Sequence, residues 1–305
     1  MLGRDFVSIL DLSPQSLTRL LDLSLGMKRD GVGPVLQGQT LALVFEKPSL
    51  RTRVSFEMAM QRLGGRSLYL SAYEVQMGDR EPPRDVARVL SRMVHGIAAR
   101  TFDHETLVEL ARYAEIPVVN ALSEDEHPCQ ALADLLTLRE RFGSLAGLRL
   151  AFVGEGNNVA RSLAYACVLA GMDFVCASPP GFDLPAETLA RARALPGGGS
   201  VTQLFDAHEA VRGATAVYTD VWASMGHEHE LESRKEHFAP FQLNVELLAA
   251  APPDALVMHD LPAHRGEEIT DDAIESPRSV VFDQAENRMH AQQAVLAALL
   301  GGSPG

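Results

Sequence analysis

The chain has 305 residues, of which 46% are hydrophobic and 22% charged, the composition of a globular protein large enough for two domains. A net charge of −13 without a basic stripe argues against nucleic acid as a partner. The three cysteines show no paired spacing, no apolar run approaches the roughly 18 residues of a membrane helix, and the N-terminus lacks the layout of a signal peptide. These features predict a cytoplasmic protein with no membrane partner.

The first half of the chain alternates between predicted helices and strands. Apolar runs predict strands at 41–45, 67–70, 96–101 and 117–121, and helical spacing predicts helices at 14–25, 54–62, 84–95, 104–114 and 130–142. The polar segment 71–83 is predicted to be an irregular loop. Strands that alternate with helices predict a parallel sheet covered by helices on both faces.

The segment Ser49–Arg53 lies where the first predicted strand turns into a helix. A helix N-terminus offers unpaired N–H groups and a positive dipole, and two arginines and two hydroxyls here favour an anion, phosphate above all. The alternative is a serine cap with solvated arginines. Ligands of parallel sheets bind beyond the carboxyl ends of the strands, where Arg100 and His127 also lie. The sequence therefore predicts that these side chains share one crevice.

A second domain is predicted to begin after the Gly143–Gly147 segment. Strands are predicted at 148–153, 172–177, 216–219 and 255–258, with a helix that ends at Ala170 and a C-terminal helix at 289–300. Gly154-x-Gly156 begins a dinucleotide fingerprint, but Val159 replaces the third glycine. A nucleotide-binding oxidoreductase is therefore a weak alternative, and it explains none of the arginines.

Two polar stretches of the second domain remain open at this point. Asn157 and Asn158 stand at a helix start, where they either cap the helix or present amides to a polar ligand. The charged run 226–241 carries His227, His229 and His237. Because these histidines lack the spacing of metal ligands, the run is predicted to be a mobile, solvated lid or loop.

Six motifs spread over nearly the whole chain carry a resemblance to a known family. They are Ser49-x-Arg51-Thr52-Arg53, His127-Pro128-Cys129-Gln130, Gly156-Asn157-Asn158, Asp220-x-Trp222-x-Ser224-Met225-Gly226, His259-x-Leu261-Pro262 and Phe282–Arg288. In this order they resemble the aspartate/ornithine carbamoyltransferase family, and the Ser-Met-Gly element resembles its ornithine-specific members. The resemblance implies an α/β fold of two doubly wound parallel-sheet domains joined by long helices. A carbamoyl-phosphate domain would cover 1–142 and be completed by 288–305, and an ornithine domain would cover 147–287.

The resemblance also implies roles for individual residues. The residues implied to bind carbamoyl phosphate are Ser49, Leu50, Arg51, Thr52, Gln76, Arg100, His127, Gln130, Asp260, Leu261 and Arg288. Those implied to bind L-ornithine are Asn158, Asp220, Ser224 and Met225. The catalytic positions are Arg51, Arg100, His127, Asp220 and Asp260. Gln76 matches a position that reaches a neighbouring subunit's site, which implies a homotrimer or a multiple of trimers.

The implied reaction needs no metal and no organic cofactor. The δ-amine of ornithine, once deprotonated, attacks the carbamoyl carbon, and phosphate leaves to give citrulline. Two departures stand out: Asp260 occupies a position where the family has cysteine, and Leu50 one where threonine is common. An anion at Asp260 would attract an ammonium or repel carbamoyl phosphate, so altered pH dependence or affinity is expected. A transcarbamoylase for another amine and a catalytically dead regulatory paralogue remain alternatives, as do the biosynthetic and catabolic directions.

Overall fold

The computed structural model describes residues 4–223 and 231–301. The chain divides into two compact units, Met1–Leu136 with Glu286–Gly305, and Thr137–Ala285. Both divisions fall inside long helices, Pro128–Phe142 and Val281–Leu300. Each unit contains a parallel sheet flanked by helices, which confirms the predicted fold class. Among the described helices, none is long and apolar enough to cross a membrane.

The first unit is built on a four-stranded parallel sheet. Its strands are β1 (Thr40–Phe45), β2 (Arg66–Ser71), β3 (Gly96–Arg100) and β4 (Val118–Leu122). Its helices are α1 (Pro14–Asp30), α2 (Leu50–Arg62), α3 (Ala72–Val75), α4 (Pro83–Leu90), α5 (His104–Tyr113) and the start of α6 (Pro128–Phe142). The strand order is β2-β1-β3-β4. The central strands β1 and β3 are almost wholly buried, as their continuous apolar runs require.

The second unit is built on a five-stranded parallel sheet in the order β7-β6-β5-β8-β9. Its strands are β5 (Arg149–Val153), β6 (Asp173–Ala177), β7 (Ser200–Leu204), β8 (Ala216–Tyr218) and β9 (Leu256–Met258). Its helices are α7 (Asn158–Leu169), α8 (Ala186–Arg193), α9 (Ala207–Val211), α10 (Leu231–Phe238), α11 (Val245–Ala250) and α12 (Asp271–Ile274). The helix α13 (Val281–Leu300) begins in this unit and ends in the first.

Several elements differ from the sequence-based expectations. The segment 71–83 contains the one-turn helix α3, and the charged run predicted as a loop contains α10, whose Phe238 is fully buried. The helix α13 starts at Val281 rather than 289, so the Phe282–Arg288 motif is itself helical. The edge strand β7 was not predicted, because only Val201 of its five residues is buried and the apolar run is correspondingly short.

Candidate active site

The N-terminus of α2 follows β1 directly, as the sequence predicts. Ser49 is the N-cap: its Oγ accepts the Thr52 N–H at 3.3 Å and donates to Thr52 Oγ1 at 3.0 Å. Thr52 is completely buried, whereas the Leu50 side chain is 74% exposed. The serine hydroxyl is thus used by its own helix. The remaining N–H groups of the first turn and the helix dipole favour an anion at this end.

The two arginines of this helix start differ in their surroundings. Arg53 pairs with Glu57, Nε to Oε1 at 2.9 Å, and its guanidinium lies 3.9 Å from the centre of the Tyr69 ring. The Arg53–Glu57 ion pair lies at the surface on the flank of the helix, so it contributes little to the stability of the protein. Arg51 is half-buried on the first turn itself. Only Arg51 of the two is therefore retained as a candidate for the anion site.

Arg288 comes to this helix start from α13, 236 residues along the chain from Thr52. Its Nη1 donates to Thr52 Oγ1 at 3.1 Å, and its Nε and Nη2 both donate to Gln130 Oε1, the former at 2.7 Å. Gln130 Nε2 in turn donates to Asp134 Oδ1 at 2.6 Å. The structure therefore brings three predicted site residues together, with a buried guanidinium whose partners are neutral oxygens.

Arg100 and His127 follow neighbouring strands of the same sheet, Arg100 at the end of β3 and His127 in the connection from β4 to α6. Arg100 is the last residue of β3 and pairs in register with Phe45, the last residue of β1. His127 directly precedes α6, and its carbonyl accepts the N–H groups of the first turn. Both side chains are buried, Arg100 at 7% and His127 at 1% exposure. The carboxyl edge of the sheet thus carries the cationic and polar groups that were predicted for it.

Lys47 is a candidate that sequence reasoning missed. It is 9% exposed, two residues before the Ser49 cap, and its Nζ lies 4.2 Å from the centre of the Phe102 ring. Burial lowers the pKa of Lys47, and the positive charge of Arg100 lowers it further. A lysine that immediately precedes Pro-Ser at a strand end was the signal that could have identified it.

Gln76 follows β2 and the one-turn helix α3 in the first unit. It terminates α3 with a left-handed backbone, φ 49°, an unusual conformation for a residue other than glycine. Its side chain is exposed and makes no hydrogen bond to any other described residue. The structure gives it no role within this unit.

In the second unit, Asp220 follows β8 and faces the start of α7. Its Oδ2 accepts Asn157 Nδ2–H and its Oδ1 accepts its neighbour Val221 N–H, both at 2.7 Å. Asn157 is also the N-cap of α7, because its Oδ1 accepts the N–H groups of Val159 and Ala160 at 3.1 Å. Asn158, half-buried, is the first residue of the helix. Asn157 is therefore the capping residue of the pair, and its bond to Asp220 is a contact that the sequence did not predict.

Asp260 lies beyond β9, the strand next to β8. Oxygen atoms of Asp220 and Asp260 and a ring nitrogen of His259 lie within 4.8 Å of one another, and His259 Nδ1 lies 3.5 Å from Asp260 Oδ1. Burial raises the pKa of Asp220 well above its usual range, and the charge of Asp260 raises it further. Leu261 has a left-handed backbone, φ 60°, with its N–H on His259 Nδ1 at 2.9 Å. This edge offers carboxyl groups suited to an ammonium.

Two predicted ornithine ligands, Ser224 and Met225, lie outside the described residues, as do His227 and His229. The chemistry of the described groups is nonetheless asymmetric. The first unit gathers cations and a helix N-terminus, which suit a phosphate, and the second gathers carboxyl and amide groups, which suit an amino acid's ammonium and carboxylate.

These features define an α/β protein of two parallel-sheet units, with cationic groups and a helix N-terminus gathered in one unit and carboxyl and amide groups in the other. Two family models match: the carbamoyl-P binding domain of aspartate/ornithine carbamoyltransferase over residues 4–140, and the Asp/Orn binding domain over residues 146–299. The chain belongs to the aspartate/ornithine carbamoyltransferase family, which confirms the resemblance seen in its motifs.

Individual relatives are similar over their whole length. The ornithine carbamoyltransferase of Pyrococcus abyssi is 50% identical, with 98% of this chain and 96% of that protein covered. The crystal structure of ornithine carbamoyltransferase from Thermus thermophilus is 50% identical with a TM-score of 0.91, covering 98% of this chain and all of that one. The enzyme from Pyrococcus furiosus is 48% identical with a TM-score of 0.95, covering 99% of this chain and 98% of that one.

Proposed function

We propose that this chain is an ornithine carbamoyltransferase that transfers the carbamoyl group of carbamoyl phosphate to the δ-amine of L-ornithine, giving L-citrulline and phosphate. The observation that carries the proposal is Arg288 held against Thr52 and Gln130 at the N-terminus of α2. A buried guanidinium bound to neutral oxygens at a helix N-terminus is a site for a dianion. The similarity to ornithine carbamoyltransferases over nearly the whole chain gives the same answer.

Carbamoyl phosphate binds to the first unit. Its phosphate lies at the N-terminus of α2, where the backbone N–H groups of the first turn, Leu50 among them, Arg51 and the Thr52 hydroxyl donate to it. Ser49 acts mainly by fixing the cap. Arg100 and His127 donate to the carbamoyl oxygen and draw electron density from the carbamoyl carbon. Gln130 holds Arg288 in place, so Gln130 acts on the ligand partly through Arg288.

Ornithine binds to the second unit. The Asp220 carboxylate accepts the α-ammonium, and Asn158 donates to the α-carboxylate, together with Ser224 and Met225. The δ-amine has a solution pKa close to that of lysine, about 10, so it must lose a proton before it attacks. The segment Asp260–Leu261 follows β9 and contacts the carbamoyl group.

The reaction is a nucleophilic displacement at the carbamoyl carbon. The neutral δ-amine adds to give a tetrahedral oxyanion, and the C–O bond to phosphate then breaks. Preorganised donors such as Arg100 and His127 stabilise the oxyanion, each by roughly 3–4 kcal/mol. Positioning of both reactants supplies several kcal/mol more. None of these steps calls for a metal or an organic cofactor.

The test is citrulline formation from carbamoyl phosphate and a panel of amines. We expect turnover with ornithine and little or none with acetylornithine, putrescine or aspartate. Arg288→Met is expected to lower kcat/KM for carbamoyl phosphate at least 100-fold, because charge-assisted contacts are lost. Arg62→Met removes an exposed arginine from the other end of α2 and serves as the matched control. Turnover with a different amine would assign another transcarbamoylase, and no turnover with any amine would favour a non-catalytic paralogue.

The proposal extends to assembly, location and pathway. We infer a homotrimer or a multiple of trimers, in which the exposed Gln76 reaches the site of a neighbouring subunit. Three buried cysteines that form no disulfide suit a reducing cytoplasm. An anabolic relative, from Pyrococcus furiosus, supports a role in arginine biosynthesis. Light scattering tests the trimer, and a Gln76→Ala variant that loses activity without losing its fold or its trimeric state tests the shared site.

A further inference from the structure

The connection from β9 to α12 carries a group of three side chains that the proposed reaction does not use. They are His264, Glu267 and Glu268, and one donor atom of each lies within 4.8 Å of the other two. His264 Nδ1 lies 3.7 Å from Glu267 Oε2 and 3.9 Å from Glu268 Oε2. The imidazole nitrogen is therefore close enough to share a cation with either carboxylate, but too far away to share a hydrogen bond.

Glu268 is the member of this group that points to a ligand. Its side chain is completely buried, and its Oε1 accepts the His264 backbone N–H at 2.6 Å and lies 2.9 Å from His259 Nε2. Its other oxygen, Oε2, is also buried but accepts no hydrogen bond from any residue that the structure describes. Burial of a carboxylate oxygen is costly without a partner. Because Oε2 is the atom that faces His264 Nδ1, a cation between the two would supply that partner.

The neighbouring basic side chains are directed at other oxygen atoms. Lys235, on α10, lies 3.7 Å from Glu267 Oε1, whereas the oxygen of Glu267 closer to His264 is Oε2. Arg265 pairs with Asp271 and Glu275, at 2.6 Å each. Two carboxylates thus face a single imidazole, and this balance of charge favours a divalent cation.

We propose that His264, Glu267 and Glu268 form a binding site for one divalent transition-metal ion, with Zn²⁺ as the best-suited occupant. Zinc accepts imidazole and carboxylate ligands, and its bonds of about 2.0–2.2 Å place two ligand atoms roughly 3–4 Å apart. The distances from His264 Nδ1 lie in that range. Mg²⁺ and Ca²⁺ prefer sites built from oxygen alone. The half-exposed His264 side chain gives the ion a path from solvent and leaves room for water to complete the coordination.

Contacts around the group hold the ligands in place before an ion binds. The Glu267 N–H donates to the His264 carbonyl at 2.9 Å, and Gln242 Nε2 donates to the Glu267 carbonyl at 2.8 Å. The contact of His259 Nε2 with Glu268 Oε1 is of the kind that orients a carboxylate ligand from behind. Since none of the three ligands is proposed to touch a substrate, the ion stabilises the fold and takes no part in the reaction.

A second group, Asp220, His259 and Asp260, has donor atoms that are equally close together. The lone pairs of two of its members are already used by N–H donors. Both oxygens of Asp220 accept hydrogen bonds at 2.7 Å, and His259 Nδ1 accepts the Leu261 N–H at 2.9 Å. An ion there would compete with these donors, whereas Glu268 Oε2 has no donor to displace among the described residues.

Binding of Zn²⁺ to the full chain, freed of metal with a chelator, tests the site without requiring activity. Calorimetry should find a tight site for about one ion per chain. His264→Gln and Glu267→Gln should each weaken that site at least about 100-fold, beyond the roughly 10–100-fold effect of residues behind the ligands. His208→Gln removes an exposed histidine from α9 and is the matched control, which should bind as the wild type does. Absence of binding to the wild type, or undiminished binding to both ligand variants, would overturn the proposal.

Co²⁺ in place of Zn²⁺ shows which side chains hold the ion. Its visible absorption bands should appear with the wild type and with Asp260→Asn, and should be lost with His264→Gln. Bands that persist in His264→Gln and disappear in Asp260→Asn would place the ion at Asp220 and Asp260 and refute the assignment. Zn²⁺ should also raise the melting temperature of the wild type and of His208→Gln, but not that of His264→Gln. Circular dichroism of each variant without metal shows that a loss of binding is not a loss of fold.

Discussion

Asn157 performs two tasks with the two ends of one amide, and substitutions can separate them. Its Oδ1 caps α7, and its Nδ2–H donates to Asp220 at 2.7 Å. Asn157→Ser keeps a capping oxygen but loses the bond to Asp220, whereas Asn157→Ala loses both. Loss of a hydrogen bond to a charged group costs about 1.5–3 kcal/mol, and loss of a cap about 1 kcal/mol. We therefore expect the free energy of unfolding to fall by about 1.5–3 kcal/mol for serine and about 2.5–4 kcal/mol for alanine.

The same series predicts an effect on ornithine. Without the Asn157 donor the ionised form of Asp220 is less stable, so the KM for ornithine should rise by roughly tenfold or more in both variants, while the KM for carbamoyl phosphate changes little. Asp206→Ala is the matched control, because Asp206 is exposed and caps the short helix α9 through the Glu209 N–H at 3.0 Å, as Asn157 caps α7. It should cost about 1 kcal/mol and leave both KM values unchanged.

Urea unfolding measures the stability of each Asn157 variant, and steady-state kinetics measures its KM for ornithine. Equal stabilities of the serine and alanine variants would show that the cap contributes nothing. An unchanged ornithine KM in both would show that the bond from Asn157 to Asp220 does not support substrate binding.

Three further outcomes are expected. Lys47→Met should raise the KM for carbamoyl phosphate by roughly tenfold and weaken its salt dependence, as measured by kinetics at two ionic strengths, because a buried positive charge beside Arg100 is lost. Gly156→Ala should lower the melting temperature, since a Cβ there would lie 2.4 Å from the backbone nitrogen of Leu184. An unchanged melting temperature would mean that the backbone around Leu184 shifts to accommodate the added methyl group. Burial raises the pKa of the Cys129 thiol to about 12 from an ordinary value near 9, so the unfolded chain ionises first and stability should fall as the pH rises from about 9 to 12, as urea unfolding at several pH values would show.

Local sequence patterns predicted the parts of the fold that depend on local chemistry. Ser13 and Pro14 open α1 because a serine cap followed by proline suits the first turn, and the apolar run of β1 fits a central strand buried on both faces. The edge strand β7 and the helix α10 were not predicted. Their residues bury only one narrow face, so neighbouring elements rather than sequence periodicity determine their structure.

The cluster at Asp260 depends on strand order, which no local pattern contains. Asp220 and Asp260 are far apart in the chain but meet because β8 and β9 are adjacent in the sheet. The contact of His259 Nδ1 with the Leu261 N–H at 2.9 Å depends on the left-handed backbone of Leu261. Sequence could identify Asp260 as a departure from the family, but its position beside Asp220 and His259 follows only from the strand order.

The residues that hold Arg288 in the candidate anion site leave its positive charge unneutralised. Arg53 faces Glu57 and is neutralised by it, whereas Arg288 faces the amide oxygen of Gln130. A glutamate in place of Gln130 would hold the guanidinium equally well but would cancel its charge. The glutamine keeps the buried carboxylate of Asp134 one side chain further away and still fixes the geometry. In a protein of net charge −13, such neutral spacers are what allow a buried arginine to attract a phosphate.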